Sequence, residues 1–396
     1  MPEPPSSWVY LRSMDLRFAT PFAAGEEADA FLEGLPACSA VFALMPPPRE
    51  GVPAAPYLGR TVDLRRRLKR LLSSRRPASR MLNLRDLTAR IEYERVGSAF
   101  EATWLLYLLN RHYFPRQYRE RLRLKPPALL KLKMNNPFPR CYPTRRMTKD
   151  GSLYYGPFPS IAVAERFAGE FLDFFKIRRC SEDLNPDPSH PGCIYSQLKM
   201  CLAPCYAGCT DAEYQDEVGR VVEFLDSQGK SLLRSLEAER ARHSESLEFE
   251  QASKTHHRVE KLEEVLRQRS DLMKNLRDLH GVMVLPGAEE KSVVFFWLRG
   301  GEIRGPATLS LDENVPNPTP LDRQLHDLLA SLGGEEVAPA AAPLPPWEHL
   351  SLLARWYYSS FRQGELLMLG PDQAIPHTRL IRVCRKVLTR DSEARP

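Results

Sequence analysis

The stretch Tyr57-Leu-Gly-Arg-Thr-Val-Asp-Leu-Arg-Arg-Arg-Leu-Lys-Arg-Leu-Leu72 changes its period part-way along. Tyr57-Leu58 begins as a short extended piece, after which Leu64, Leu68 and Leu72 recur every four residues and give a helix one apolar face. Arg65, Arg66, Arg67 and Arg70 crowd the other sides of that helix. The reading is a strand feeding a cationic amphipathic helix. Its neighbours extend the pattern, with a strand around Val41 to Leu44 before it and an apolar helix from Ala99 to Leu109 after it. Phe31 to Tyr118 thus reads as a small α/β unit.

Charge separates this part of the chain from the rest. Nine Lys or Arg face Asp63 alone between Arg60 and Arg80, and twelve face Glu120 alone between Arg111 and Lys149. These segments carry +8 and +11, which leaves −13 for the remainder of a chain whose total is +6. Clustered Lys and Arg bind phosphates by releasing condensed counterions, so a nucleic-acid partner is expected, although charge alone does not separate DNA from RNA. At 43% hydrophobic and 9% aromatic the 396 residues are not disordered throughout, and at roughly 150 residues per domain they make two to three domains. No apolar run approaches the ~20 residues of a membrane span, and no basic-then-apolar leader opens the chain, so a cytoplasmic protein with no membrane partner is expected.

Thirty-five prolines mark the joints. Pro46-Pro47-Pro48 interrupts the segment between the two candidate strands, Pro126-Pro127 opens a new region, and Val337 to Pro346 reads as an extended linker. Leu129 to Cys209 is rich in proline and cysteine, with short strand-like pieces, and reads as compact but irregular. From Thr210 to Leu279 the pattern is helical, opening with a capping box of Thr210 and Glu213 and interrupted at Gly229, which suggests a helical hairpin. Gly281 onward reads as a small α/β piece: a strand at Ser292 to Arg299, a Gly300-Gly301 turn, and an apolar helix from Leu350 to Phe361. The expected fold class is α+β, multidomain.

Cys180, Cys193, Cys201 and Cys205 lie close enough in sequence for four thiolates to meet at one centre, with Cys209 a spare fifth. Four thiolates suit zinc or a four-iron cluster, and softness does not choose between them. Cys38, Cys141 and Cys384 are isolated and read as small apolar residues.

Tyr57-Leu58-Gly59-Arg60, with Leu64 to Leu68, resembles the second half of the GIY-YIG nuclease signature found in the UvrC subunit of bacterial excinuclease. Leu35-Pro36 and Ala40-Val41-Phe42 stand where that family has its first half. The resemblance implies phosphodiester hydrolysis with Tyr57 as base, Arg60 where a lysine usually tunes that tyrosine, and Arg67 as phosphate clamp, with magnesium or manganese as the metal. It implies DNA contacts from Arg65, Arg66, Arg70, Arg145 and Arg146. Two positions depart from the pattern: Phe42 replaces the first tyrosine, and Leu106 stands where the metal-binding glutamate belongs. Glu101, five positions earlier, points roughly 140° away on a helix.

The run Cys193-Ile-Tyr-Ser-Gln-Leu-Lys-Met-Cys201-Leu-Ala-Pro-Cys205 resembles the UvrC cysteine motif, which implies a [4Fe-4S] cluster, with structural zinc the alternative. Leu247-Glu248-Phe249-Glu250-Gln251-Ala252 resembles the UVR motif, implying a UvrB-like partner met by Leu247 and Phe249. Phe295-Phe296-Trp297 with Arg299-Gly300-Gly301 resembles the segment before the second, RNase H-like nuclease domain. The resemblance implies an N-terminal arm (1–30), a GIY-YIG-like domain (31–118), a cysteine-cluster domain (119–209), a UVR hairpin (210–280) and a truncated C-terminal region (281–396). The expected function is DNA binding in nucleotide excision repair with impaired or absent incision. The alternatives are an active metal-dependent endonuclease making one strand break, and a metal-stabilised nucleic-acid-binding scaffold.

Overall fold

Alternation decides the first sheet. In the computed structural model β1 (Phe18–Pro21), β2 (Ala40–Met45), β3 (Tyr57–Thr61) and β4 (Arg90–Arg95) form an antiparallel sheet in the order β1-β4-β2-β3, with α1 (Ala28–Gly34), α2 (Leu64–Leu72), α3 (Leu84–Leu87), α4 (Ala99–Tyr113) and α5 (Tyr118–Arg121) between and after the strands. Every residue of β2 is buried because both faces are covered. Ala40, Phe42 and Leu44 pack with Leu32 of α1 and Leu64, Leu68 and Leu72 of α2, while Val41, Ala43 and Met45 pack with Ala102, Leu106 and Leu109 of α4. The Asp63 side chain caps α2 by accepting the Arg66 N–H at 2.9 Å. Residues 16–394 are described except 26, 52, 54, 74–83, 183, 311–322, 324–343 and 371. The expected linker lies outside the described residues as far as 343, as do Arg75, Arg76 and Arg80. The expected N-terminal arm contributes β1, whose Phe18 ring stacks on Tyr93 at 4.9 Å.

The cysteine-bearing region is more regular than its composition suggests. β5 (Ala128–Lys133), β6 (Arg140–Thr144) and β7 (Leu153–Phe158) form a second antiparallel sheet, covered by α6 (Ile161–Leu172), and only the stretch around α7 (Ile194–Gln197) is irregular. Pro143 is accommodated because β6 is an edge strand. The capping box at Thr210 forms as expected and opens α8 (Asp211–Asp226). That helix is not an arm of the hairpin: its Tyr214, Val218, Val221 and Phe224 join the core of the second sheet. The hairpin proper is α9 (Lys230–Glu245) with α10 (Phe249–Arg267), separated from α8 at Gly229. Gly229 has φ +86°, and a Cβ there would sit 2.2 Å from the Leu266 side chain, so both conformation and space require glycine. β8 (Lys274–Asn275) then returns to pair with β7.

The last region is a three-layer unit. β9 (Gly281–Pro286), β10 (Ser292–Arg299), β11 (Glu302–Ser310) and β12 (Glu365–Met368) form a sheet in the order β11-β10-β9-β12, with α11 (Trp347–Tyr357) on one face and α12 (His377–Ala394) on the other. The expected strand at Ser292 to Arg299 is β10, and the Gly300-Gly301 turn leads into β11. The expected helix ends earlier, at Tyr357. One element joins this unit to the first. α4 turns Ala102, Leu106 and Leu109 to the first sheet, and Phe100, Trp104 and Tyr107 to the third unit, where Phe100 meets Phe296 edge-on at 5.1 Å and the Trp104 indole N–H donates to the Gly305 carbonyl at 3.1 Å.

Candidate nucleic-acid interface and cysteine centre

Tyr57 begins β3 on the sheet face shared with Phe42, Gly59 and α2. Arg67, one turn into α2, donates from Nη2 to the Tyr57 hydroxyl at 3.4 Å, so these two predicted residues do meet. Phe42 is fully buried with its ring 6.2 Å from that of Tyr57. A Cβ on Gly59 would lie 2.5 Å from the Phe42 ring, which is why the strand needs glycine there. Arg66 and Arg70 are exposed on the outer side of α2, and Arg65 donates from Nε to the Leu35 carbonyl at 2.5 Å.

Arg60 is not placed to tune Tyr57. Side chains three apart on a strand point to opposite faces, and Arg60 crosses to α4, donating to Thr103 Oγ1 at 2.6 Å and the Ala99 carbonyl at 3.3 Å. Leu106 packs on that same α4 side with Leu58, Val41 and Ala43. Glu101 is turned into the start of its own helix, where one carboxyl oxygen accepts the Gly97 N–H at 2.9 Å. Burial pushes the Glu101 carboxyl up to about 7; the Gly97 and Ser98 hydrogen bonds oppose that shift and the charge of Glu94 adds to it.

The second basic run loses part of its charge to internal partners. Arg119 pairs with the buried Glu348 at 2.8 Å and Lys131 with Asp150 at 2.6 Å, while Arg121 lies over the Phe114 ring. Arg145 and Arg146 remain on the surface just beyond β6, with Arg145 Nη1 donating to the Pro126 carbonyl at 2.7 Å. The cations available to a polyanion are therefore fewer than the sequence total.

The cysteine segment is held in place by α8. Glu217 accepts the Lys176 N–H at 2.6 Å, and the Tyr214 hydroxyl accepts the Arg178 N–H at 2.9 Å. Ala203 and Ala207, both at positive φ, bracket a tight 3-10 turn, Pro204–Tyr206, that carries Cys205. Burial pushes the Cys201 thiol up to about 11; the Ala203 N–H, 3.3 Å from its sulfur, opposes this, and Cys180, Cys193 and Cys205 add to it. Burial also raises Cys205, helped by Cys193 and Cys180. Cys201 and Cys205 thus each feel the charges of Cys180 and Cys193, and all four are the soft donor type that zinc or an iron–sulfur cluster takes. Among the described residues no three His, Cys, Asp or Glu side chains are gathered tightly enough to hold a single ion. Burial raises Cys209 as well, with Glu213 and Asp211 at the start of α8 and then Cys205 adding to the shift. Sequence reasoning missed Arg178, a fully buried guanidinium that donates to the Phe138 carbonyl at 2.8 Å and reaches the Cys180 sulfur at 3.7 Å. Its place two residues before Cys180 is the signal the sequence offers.

Leu247 and Phe249 flank the turn between α9 and α10, 70% and 69% exposed, so neither belongs to the hairpin core, which is built from Leu232, Leu236, Val259 and Leu262. His256 and His257 both face Glu260 on the surface.

With this geometry in view, residues 128–224, from β5 into α8, match the family model described as UvrC/Cho excinuclease, middle domain. The chain is similar to UvrC proteins. The UvrABC system protein C of Ruminiclostridium cellulolyticum is 25% identical over 252 residues, covering 63% of this chain and 41% of that protein. That of Clostridium acetobutylicum is 25% identical over 303 residues, 76% of this chain and 48% of that protein. That of Carboxydothermus hydrogenoformans reaches 32% identity over 169 residues, 42% of this chain and 27% of that protein. The matched stretch spans less than half the length of each of these UvrC relatives. No solved structure matches. No helix among the described residues is long and apolar enough to cross a membrane.

Proposed function

We propose that this chain binds DNA in nucleotide excision repair as a UvrC-like protein whose Tyr57 face is impaired or inactive in strand incision. The observation that carries this reading is the state of the two carboxylate positions on α4. Leu106 offers no oxygen and packs among apolar side chains, and the Glu101 carboxyl is committed to the Gly97 N–H. Both positions lie on the α4 side of the sheet, opposite Tyr57, so among the described residues α4 brings no carboxylate to the Tyr57–Arg67 face that could hold magnesium or manganese beside a phosphate. Arg65, Arg66, Arg70, Arg145 and Arg146 act as phosphate contacts, which position a duplex without reading its sequence. Leu247 and Phe249 form an apolar tip suited to a groove on a UvrB-like partner. Cys180, Cys193, Cys201 and Cys205 would have to draw closer together to hold a four-iron cluster or a structural zinc, which when bound supplies folding free energy to a segment with little core of its own.

A supercoiled plasmid tests both halves of the reading. The purified chain is expected to retard the plasmid in a gel while leaving it intact with magnesium or manganese. Nicking that Tyr57→Phe abolishes would overturn the impaired-incision reading, and failure to retard DNA at any salt would overturn the binding reading.

A further inference from the structure

A second cationic surface lies where the sequence total conceals it. Between His377 and Arg390 there is no acidic residue, yet Arg379, Arg382, Arg385, Lys386 and Arg390 all fall on α12, and all are exposed. At 100° per residue these five positions occupy an arc of roughly 140°, while Leu380, Cys384 and Val387 fall on the opposite side. That opposite side is fully used. Leu380 and Cys384 are completely buried, and with Val387 they pack against Val282, Val284, Val293 and Phe295 of the third sheet.

The basic residues divide into two groups. Lys386 and Arg390 are held by Glu365 of β12 at 2.7 and 2.9 Å. Among the described residues no acidic side chain pairs with Arg379, Arg382 or Arg385, which sit at successive three-residue steps along about 9 Å of helix. A basic amphipathic helix has two common uses, a membrane surface or a polyanion. Membrane binding buries the apolar face in lipid, and here that face is already spent on the protein core. A row of guanidiniums on a helix fixed to a sheet fits a phosphate backbone, since phosphates are spaced regularly and need charge without apolar burial.

We propose that the outer face of α12 is a nucleic-acid docking surface, with Arg379, Arg382 and Arg385 each contacting a backbone phosphate of duplex DNA. The proposal rests on the DNA-binding reading above and extends it to a part of the chain that sequence charge marks as acidic. It is separate from the α2 surface and takes no part in the chemistry at Tyr57.

The test measures the affinity of the full chain for a fluorescent duplex between 50 and 200 mM salt, for the parent and for an Arg379→Ala, Arg382→Ala, Arg385→Ala variant. Each phosphate contact contributes about 0.9 to the slope of log K against log salt, so the variant should lose about 2.7 from that slope. The affinity gap between variant and parent should close about 40-fold over this range. All three side chains are on the surface, so circular dichroism and melting should match the parent. An unchanged slope and affinity would overturn the proposal while leaving the general reading intact. A parent that binds no duplex at all would overturn both. If the substitutions instead abolish binding to anionic phosphatidylglycerol vesicles and spare duplex binding, the surface serves a membrane and the proposal fails.

Discussion

Replacing Glu101 with glutamine tests whether that carboxyl is a buried helix cap or a latent metal ligand. The side chain is 6% exposed and accepts the Gly97 N–H, and burial pushes its acid up to about 7 from an ordinary 4.5. The folded state therefore holds a proton across that interval which the unfolded chain has released. A folded pKa above the unfolded one means stability that is complete below about pH 4.5 and is lost as pH rises through 7. At about 1.4 kcal/mol per pH unit over this interval the loss is on the order of 3 kcal/mol. Glutamine keeps an oxygen for the Gly97 N–H and never ionises. Glu101→Gln should then be close to neutral at pH 4 and more stable than the parent at pH 8 by up to about 3 kcal/mol, read by guanidinium denaturation at the two pH values. A carboxyl NMR titration of the parent should place the Glu101 midpoint near 7. A variant equally destabilised at both pH values would refute the reasoning. So would a parent in which magnesium drags the Glu101 midpoint down, because that would make the carboxyl a ligand.

Trp104→Ala should cost about 3–5 kcal/mol, because the ring is buried between two units and its N–H is bonded to Gly305; a loss below 1 kcal/mol in chemical denaturation would contradict the two-sided role of α4. Phe249→Ala should leave the melting temperature of the free chain unchanged within a degree or two, since the ring is exposed, while weakening pull-down of a UvrB-like partner at least tenfold; a clear drop in melting temperature would return the residue to the core. Cys201→Ser should lower iron or zinc content per chain, measured by elemental analysis after anaerobic purification, and lower the melting temperature with it; unchanged metal content would remove Cys201 from the ligand set.

What the sequence made legible was local. The leucine period of α2, the Thr210 capping box and the Gly300-Gly301 turn each depend on residues a few positions apart, and each appears where its pattern puts it. Distance explains most of the rest. α4 read simply as apolar, because the partners of Phe100 and Trp104 are Phe296, Gly305 and Trp356, some two hundred residues onward. The strand-like pieces of the cysteine-bearing region look irregular in sequence because Pro143 resembles a breaker, which it is not on the edge strand β6. Arg60 is a different case. Strand period alone puts it on the face opposite Tyr57, so a rule already in hand outranks its resemblance to the tuning lysine.

Leu106 on α4 also shows why an apolar side chain suits the fold at that position. Leu106 belongs to the cluster that holds α4 to the first sheet, and the opposite side of the helix holds the third unit through Phe100, Trp104 and Tyr107. An apolar side chain at position 106 therefore strengthens the joint between the units that carry α2 and α12, whereas a carboxylate there would need water or a cation to offset its desolvation. If the proposed α2 and α12 surfaces both contact phosphates, holding them at a fixed separation makes the pair bind more tightly than either alone, provided that separation fits the duplex.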